Sequence, residues 1–148
     1  MTSSRSPSKL MSAFVALLLI ALPFAGRSQQ AQSPDPNAWV GVAQQAVQLI
    51  DSGRAGELWD NGSSEMKVRV SRNDFLAALK KSRTGEAVVS REWLSVERTQ
   101  LNASPSVPAG VYANVRFQAV IGKRPVTELV TFRQESNGGW RWMGYLIK

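Results

Sequence analysis

Residues 111–121 read VYANVRFQAVI, and apolar side chains occupy every second position of this segment. The odd positions, from Val111 to Ile121, are all apolar, while Asn114, Arg116 and Gln118 lie between them. A period of two places successive side chains on opposite faces of a strand. The segment therefore predicts a β-strand with one face in the core and the other towards solvent.

The segments before and after this strand also have the composition of β-strands. Residues 87–99 are rich in Val, Trp, Leu and Thr and predict a preceding strand, and residues 102–110 form a loop with two prolines. Val126–Glu135 and Gly139–Lys148 predict two more strands, joined by a hairpin turn at Asn137-Gly138. Consecutive strands with short connections favour an antiparallel meander.

The residues before the strands have the period of a helix instead. Asp35 and Pro36 predict a helix start, and the apolar face of this first helix comprises Trp39, Val42, Ala43, Ala46, Leu49 and Ile50. A short second helix is predicted at Gly56–Asp60, while residues 63–70 are weakly patterned. Ser71 begins a third helix that ends near Ser82, before a left-handed cap at Gly85.

This order of elements predicts one fold class. We expect an α+β domain in which three N-terminal helices pack on a curved, four-stranded antiparallel sheet, with a cone-like shape.

The last predicted strand does not alternate simply between apolar and polar residues. Trp140, Trp142 and Leu146 share one of its faces, but Tyr145 and Ile147 on the other face are apolar as well, which predicts either a central strand or a switch of register at Gly144.

The first 31 residues predict a secretory signal peptide. Arg5 and Lys9 precede the uncharged, mainly apolar run 10–26, and small residues allow cleavage after Ala25, Ser28 or Ala31. A membrane anchor is disfavoured, because a spanning helix needs roughly 20 apolar residues. We therefore expect a linker over 32–37, a single domain over 38–148, and export to the bacterial periplasm or the medium.

The composition excludes most enzyme chemistry. The chain has 148 residues with no Cys and no His, so it contains no disulfide, thiol nucleophile, imidazole base, Ser-His-Asp triad or His- or Cys-ligated metal site. There is no phosphate loop, dinucleotide-binding glycine motif or acidic metal cluster, so no cofactor is predicted. The sequence leans towards a protein that is not an enzyme.

The net charge is +7, but three of the cations lie in the predicted signal peptide and +4 remains without it. This excess of positive charge favours contact with an anionic envelope surface. The basic segment 67–83 has the spacing of a solvated helix face. It lacks the interleaved aromatic residues of a nucleic-acid-binding surface, so nucleic acid is not predicted as a partner.

Glu128 is the most unusual residue of the predicted sheet. The even positions of its strand, which include Val126, Val130 and Phe132, form the more apolar face, so alternation directs Glu128 into the core. A buried carboxylate is costly unless it is paired, which predicts a partner among Arg91, Arg83 and Tyr145. The carboxylate has two interpretations, a structural ion pair or a group that orients a ligand or acts as an acid and base.

A binding hollow is predicted where the sheet meets the helices. Large aromatic side chains line ligand cavities but also fill ordinary cores. The predicted wall of the hollow comprises Glu128, Arg91, Trp59, Trp93, Tyr112, Trp140 and Tyr145.

The mature chain resembles the bacterial exported family catalogued as domain of unknown function 4019. The resemblance runs from about Ala38 to Lys148. It rests on Leu58-Trp59, on Arg83-Thr84-Gly85-Glu86 with Val89-Ser90-Arg91, and on the closing segment Gly139–Tyr145. It implies the nuclear transport factor 2-like (cystatin-like) superfold. It carries no activity to transfer, and enzymes of that superfold often place His or Asp in the cone, where this chain has no His.

Three hypotheses of function follow. The first is a non-enzymatic exported module that binds a small apolar ligand or a protein segment in the hollow. The second is a hydrolase or isomerase that uses the Glu128 carboxylate. The third is a structural domain that forms a homodimer and binds no ligand. An open cavity with Glu128 exposed inside it favours the first two hypotheses, and a packed core with Glu128 salt-bridged and inaccessible favours the third.

Overall fold

The structure, a computed structural model, describes residues 35–148, which fall within one unit, Ser33–Lys148. The predicted signal peptide and most of the predicted linker lie outside the described residues. The described part contains four helices followed by four strands: α1 (Pro36–Asp51), α2 (Gly56–Asp60), α3 (Ser64–Arg69), α4 (Arg72–Arg83), β1 (Val88–Leu101), β2 (Gly110–Ile121), β3 (Arg124–Gln134) and β4 (Trp140–Ile147). The α+β class is confirmed, with one helix more than the three predicted.

The additional helix is α3, which arises where the sequence is only weakly patterned. Ser63 begins it, because the Ser63 side chain accepts a hydrogen bond from the backbone N–H of Met66 at 3.1 Å. Ser71 does the same for α4 through the backbone N–H of Asp74, which confirms the predicted start. Asp35 caps α1 in the same way and the helix begins at Pro36, which confirms the predicted start, so the expected linker over 32–37 overlaps the first two helical residues.

The four strands form one antiparallel sheet in the order β1-β2-β3-β4, which confirms the meander. Val115 in β2 lies opposite Val96 of β1 and Val130 of β3, so three β-branched side chains share the face that meets the helices. Val115 and Val130 are fully buried. The period-two pattern of residues 111–121 therefore places the core on the helix side of the sheet, as expected.

A register shift in β4 resolves the ambiguity of its apolar faces. Thr131 pairs with Gly144 and Phe132 pairs with Trp142, so Met143 is an extra residue between them. Such a bulge reverses the alternation that follows it. As a result Tyr145, opposite Val130, lies on the same side of the sheet as Trp142. The predicted switch of register is confirmed, and the alternative of a central strand is wrong, because in the described part β4 pairs only with β3.

The helices cover the apolar face of the sheet. The buried residues of α1 are Trp39, Val40, Ala43, Ala46, Val47 and Ile50. Val42 and Leu49, which were expected on this face, are not among them, and Val42 is 46% exposed. The apolar surface of α1 is therefore wider than the stripe that packs against the sheet.

We expect Ser63→Ala to lower the free energy of unfolding by about 1–2 kcal/mol, because it removes the N-cap of α3 and leaves a buried N–H without its acceptor. Ser136→Ala, in the exposed turn before β4, is the matched control and should change little. Urea unfolding followed by circular dichroism measures both. Equal stability of the two variants would show that the Ser63 hydroxyl does not hold α3.

Candidate functional site

A network of charged side chains lies in the core around Glu128. The Glu128 side chain has no solvent exposure. Its Oε1 accepts hydrogen bonds from Arg83 Nη1 at 2.8 Å and Arg91 Nη2 at 2.9 Å, and Arg91 Nε donates to Oε2. The Tyr145 hydroxyl also donates to Oε1. The predicted pairing is confirmed, and all three candidate partners contact the carboxylate together.

Asp51 completes this network and was not predicted from the sequence. Its carboxylate accepts from Arg91 Nη1 at 2.8 Å and from Arg83 Nη2. Two guanidinium groups thus face two carboxylates, and the formal charges balance. Asp51 is the last residue of α1, where the helix dipole disfavours a negative charge. An acid at a helix C-terminus therefore signals a cationic partner elsewhere in the fold, and that signal was present in the sequence.

The environment shifts the pKa values of the network in directions that preserve its hydrogen bonds. Burial, together with the hydrogen bond to Glu128, raises the pKa of the Tyr145 phenol well above its ordinary value. Burial alone would lower the pKa of Arg91, but the hydrogen bonds and charges of Glu128 and Asp51 outweigh it and raise the pKa. Tyr145 therefore stays a neutral donor and Arg91 stays a cation.

The remaining predicted wall residues lie apart from this network. Trp59 Nε1 donates to the Val70 carbonyl at 3.0 Å, and the buried Tyr112 donates its hydroxyl proton to the Pro108 carbonyl at 2.7 Å. Trp93 lies on β1 and is 51% exposed. The structure thus brings Glu128, Arg91 and Tyr145 together, but it does not gather the seven predicted residues into one hollow.

Trp140, the seventh predicted residue, lies in an open apolar groove between α1 and the strands β3 and β4. We call it the tryptophan groove. It has a volume of about 390 Å³ and is lined by Ala38, Trp39, Val42, Gln45, Ala46, Leu49, Leu58, Asn61, Phe132, Trp140, Arg141 and Trp142. The Trp39 and Trp140 rings meet edge to face with centroids 4.7 Å apart, and Phe132 lies 5.3 Å from Trp39. Aromatic side chains fixed in this way form a rigid apolar wall.

The sequence pointed to Trp140 but not to the groove. A signal for the groove was the apolar surface of α1, which is wider than one packing stripe needs: Val42 is exposed in the groove, and Leu49, which is only partly buried against the core, lines the groove as well. Trp142 belongs to both the core and the groove: its ring centroid lies 5.1 Å from that of Phe75, and its side chain is also part of the groove lining. Its indole Nε1 is buried and has no hydrogen-bond partner within residues 35–148.

Residues 35–148 include no group of three or more acidic side chains that could hold a metal ion. Within the same residues, no helix has both the length and the apolar character needed to cross a membrane.

Comparison with known proteins places this architecture in a family. Residues 42–145 match the model of the family described as "Protein of unknown function (DUF4019)". The chain belongs to this family. The match begins inside α1 and ends at Tyr145, so it includes Asp51, Arg83, Arg91 and Glu128 together with the groove residues from Val42 to Trp142. No curated protein and no solved structure matches the chain.

We expect Glu128→Ala and Arg91→Ala each to lower the free energy of unfolding by about 2–4 kcal/mol, because each unbalances the charges of the network and removes hydrogen bonds from its buried members. Arg124→Ala is the control: its ion pair with Glu86 is exposed, and its loss should cost less than about 1 kcal/mol. Thermal and urea unfolding measure all three. Melting of both network variants at the wild-type midpoint would contradict a stabilising network.

The raised pKa of Tyr145 predicts a loss of stability in alkali. In the unfolded chain a tyrosine ionises near about pH 10, whereas the folded protein holds the Tyr145 proton to higher pH. The stabilisation is therefore complete below about pH 10 and declines as the pH rises through the folded-state value. Urea unfolding between pH 8 and pH 11.5 should show a steeper decline for wild type than for Tyr145→Phe. Parallel declines of stability in the two proteins would show that the Tyr145 proton does not stabilise the fold.

Proposed function

We propose that the protein is a non-enzymatic binding module that takes an apolar ligand into the tryptophan groove. The observation that carries this proposal is the groove itself, an open cavity of about 390 Å³ walled by Trp39, Phe132, Trp140 and Trp142. Small-molecule sites are typically concave, mainly apolar and roughly 300–1,000 Å³ in volume, with a few polar groups that orient the ligand. Gln45 and Asn61 supply such groups here.

Binding is favoured over catalysis by the chemistry of the two sites. The groove lining contains no Asp, Glu, Lys, Tyr or Ser, so within the described residues it offers neither a general base nor a nucleophile. Glu128 is the acid named in the enzyme hypothesis, and both of its oxygens accept hydrogen bonds inside the core. A substrate would have to displace two arginines to reach it. We therefore assign the Glu128 network to stability and the groove to function.

A homodimer through β1 is a weaker interpretation. This edge strand does expose Val89, Trp93 and Leu94. Antiparallel pairing of two copies over the full strand, with Val88 opposite Leu101, would place Glu92 opposite Glu97 and Arg91 opposite Arg98. Like charges directly opposite one another destabilise a strand pair, and charged edges oppose association.

We also propose that the protein is exported and that its fold belongs to the nuclear transport factor 2-like superfold. The charged start and apolar run of residues 1–31 support export to the bacterial periplasm or beyond. The order of helices followed by an antiparallel meander supports the superfold.

The export proposal predicts a processed N-terminus. When the full chain is expressed in a bacterium, N-terminal sequencing of the protein from the periplasm should begin at Gly26, Gln29 or Gln32. Lys9→Glu with Arg5→Glu should reduce processing, because the cationic n-region is lost, whereas Lys123→Glu should not. Protein that retains Met1 and stays in the cytoplasm would contradict export.

The groove proposal predicts saturable binding of a neutral apolar probe. We expect N-phenyl-1-naphthylamine to bind the purified protein with increased fluorescence and one-to-one stoichiometry. Val42→Glu should weaken this binding about tenfold or more, because it places a carboxylate in the apolar wall. Val42 is already 46% exposed, so the variant should remain folded.

The matched control is Val68→Glu, which changes a valine on α3 that is 87% exposed and does not line the groove. It should bind the probe like wild type. An equal effect of the two substitutions, or no saturable binding by the wild-type protein, would overturn the proposal.

A further inference from the structure

The fourth strand, β4, leaves one edge of the sheet without a neighbouring strand. Within residues 35–148 it pairs only with β3, and Lys148 exchanges two backbone hydrogen bonds with Thr127, at 2.8 and 3.0 Å. Hydrogen-bonded and non-hydrogen-bonded pairs alternate along an antiparallel ladder, so the N–H and C=O groups of Tyr145 and Ile147 point away from β3. No helix or loop of the described residues supplies a backbone partner for these groups. An extended chain has the regular spacing of donors and acceptors that pairs with such an edge.

The composition of this edge does not protect it from pairing. Residues 142–147 read WMGYLI, with neither a charge nor a proline. Natural proteins usually protect an edge strand with charged residues, proline or a covering element, and the other edge strand, β1, carries charges at positions 91, 92, 97 and 98. The N-cap of α3 covers only the start of β4, where the Trp142 carbonyl accepts a hydrogen bond from the Ser63 N–H at 2.8 Å. The edge at residues 143–147 is therefore open to a partner strand.

Apolar depressions lie beside this edge on both faces of the sheet. On the helix side a depression of about 340 Å³, which we call the edge cleft, lies between β4 and the helices α3 and α4. Its lining contains no charged residue and comprises Met66, Val70, Phe75, Ala78, Leu79, Ser82, Trp142, Met143, Gly144, Tyr145, Leu146 and Ile147. On the opposite face, which carries Leu129 and Thr131, a second depression of about 340 Å³ shares residues 143–146 with the cleft. Successive side chains of a strand point to opposite faces, so a strand added to β4 places its alternate side chains in the two depressions.

The helix α4 runs beside β4 in the same direction. Near the start of both elements the ring centroids of Phe75 and Trp142 are 5.1 Å apart, and at the end of α4 Arg83 Nη1 donates to the Tyr145 hydroxyl at 3.0 Å. The open part of the edge therefore lies beside the C-terminal half of α4. In this half Lys81 is exposed, and its side chain forms no ion pair or hydrogen bond within residues 35–148. The acidic residue of the helix lies in its first turn, away from the open edge.

This charge distribution favours a partner of opposite charge over a second copy of the chain. Two copies joined through β4 as a two-fold pair centred on Leu146 would place the C-terminal halves of their α4 helices side by side. Each half carries the exposed residues Lys80 and Lys81, so like charges would meet. An acidic segment is instead attracted by the same lysines.

We propose that the free edge of β4 docks an extended, acidic segment of another protein, which adds to the sheet as a fifth strand. Backbone hydrogen bonds to Tyr145 and Ile147 supply the pairing, alternate apolar side chains of the segment enter the edge cleft, and its acidic residues face the α4 lysines. The inference goes beyond the proposed function and does not depend on it, since Trp142 is the one described residue that lines both the tryptophan groove and the edge cleft.

The probe is a fluorescein-labelled peptide of sequence DEVTVTVED, and fluorescence anisotropy measures its binding to the purified protein. Residues directly opposite one another in an antiparallel pair project to the same face. The peptide valines that enter the edge cleft are therefore those whose N–H groups face Tyr145 and Ile147. We expect saturable binding that is lost when the valine nitrogens are methylated and retained when the threonine nitrogens are methylated. The peptide KKVTVTVKK should bind about tenfold more weakly.

Two alanine variants of α4 test the location of the site. Ala77 and Ala78 are adjacent and exposed, but of the two only Ala78 lines the edge cleft. Ala78→Glu should weaken binding of DEVTVTVED about tenfold or more, because it places a carboxylate where the valines and the acidic residues dock. Ala77→Glu is the matched control and should bind like wild type. Glutamate is a good helix former, so both variants should melt near the wild-type temperature and bind N-phenyl-1-naphthylamine unchanged.

Hydrogen exchange followed by nuclear magnetic resonance reports the strand addition itself. Saturation with the peptide should slow the exchange of the Tyr145 and Ile147 N–H groups, which face the added strand. The Leu146 N–H already faces β3, so its exchange should change much less.

Several results would overturn the proposal and leave the tryptophan groove untouched. These are no saturable binding of DEVTVTVED, equal effects of the two methylation patterns or of the two alanine variants, a preference for KKVTVTVKK, and unchanged exchange at Tyr145 and Ile147. A dimer of the purified protein in analytical ultracentrifugation that Ala78→Glu dissociates would assign the edge to a second copy and would also overturn the proposal. Peptide binding without any binding of the naphthylamine probe would support the edge site and overturn the groove proposal alone.

Discussion

The buried carboxylate of Glu128 imposes the strongest constraint on this domain. Burial of an ion away from water is very costly unless the protein balances its charge and supplies hydrogen-bond donors to its lone pairs. Here they are met by Arg83 at the end of α4, Arg91 on β1 and Tyr145 on β4. Asp51, at the end of α1, then neutralises the second arginine. Five elements, α1, α4, β1, β3 and β4, must therefore dock together before the charges balance.

The first helix, α1, contributes residues to both the Glu128 network and the groove, at its two opposite ends. Trp39, near the start of α1, forms part of the groove wall, and Asp51 at its last residue belongs to the network. Twelve residues of helix separate them by roughly 18 Å. The network can thus fix the position of α1 over the sheet, while side chains at the other end of the helix line the groove. Substitutions at Val42 and at Glu128 should accordingly act on different properties.

Much of the fold could be predicted from periodicity, since the pattern of Val111–Ile121 alone places one sheet face in the core. The same alternation identified Glu128 as buried, and the three basic or hydroxyl partners suggested for it all contact it. Asp51 was missed because its role depends on where α1 ends relative to β1, and no periodicity reports that. The helix α3 was only weakly indicated, as one or two helical turns, for a related reason: its start depends on the Ser63 hydroxyl, and a helix of six residues has too few positions to show a period.

The groove shows the limit of pattern reading most clearly. Val42 and Leu49 have the spacing of core residues, yet Val42 is 46% exposed and Leu49 is only partly buried against the core that Trp39, Ala43 and Val47 help to form. Whether an apolar helix residue is buried depends on how far the partner sheet extends beneath it, which is a property of the docked elements and not of the helix.

The extra residue Met143 in β4 is a second feature that the period of the sequence does not fix. Because it reverses the alternation within a strand of eight residues, Trp140 and Trp142 can line the groove while Tyr145 reaches the Glu128 network from the same face. A regular strand would turn Tyr145 away from Glu128, so a single inserted residue in β4 allows one short strand to serve both sites.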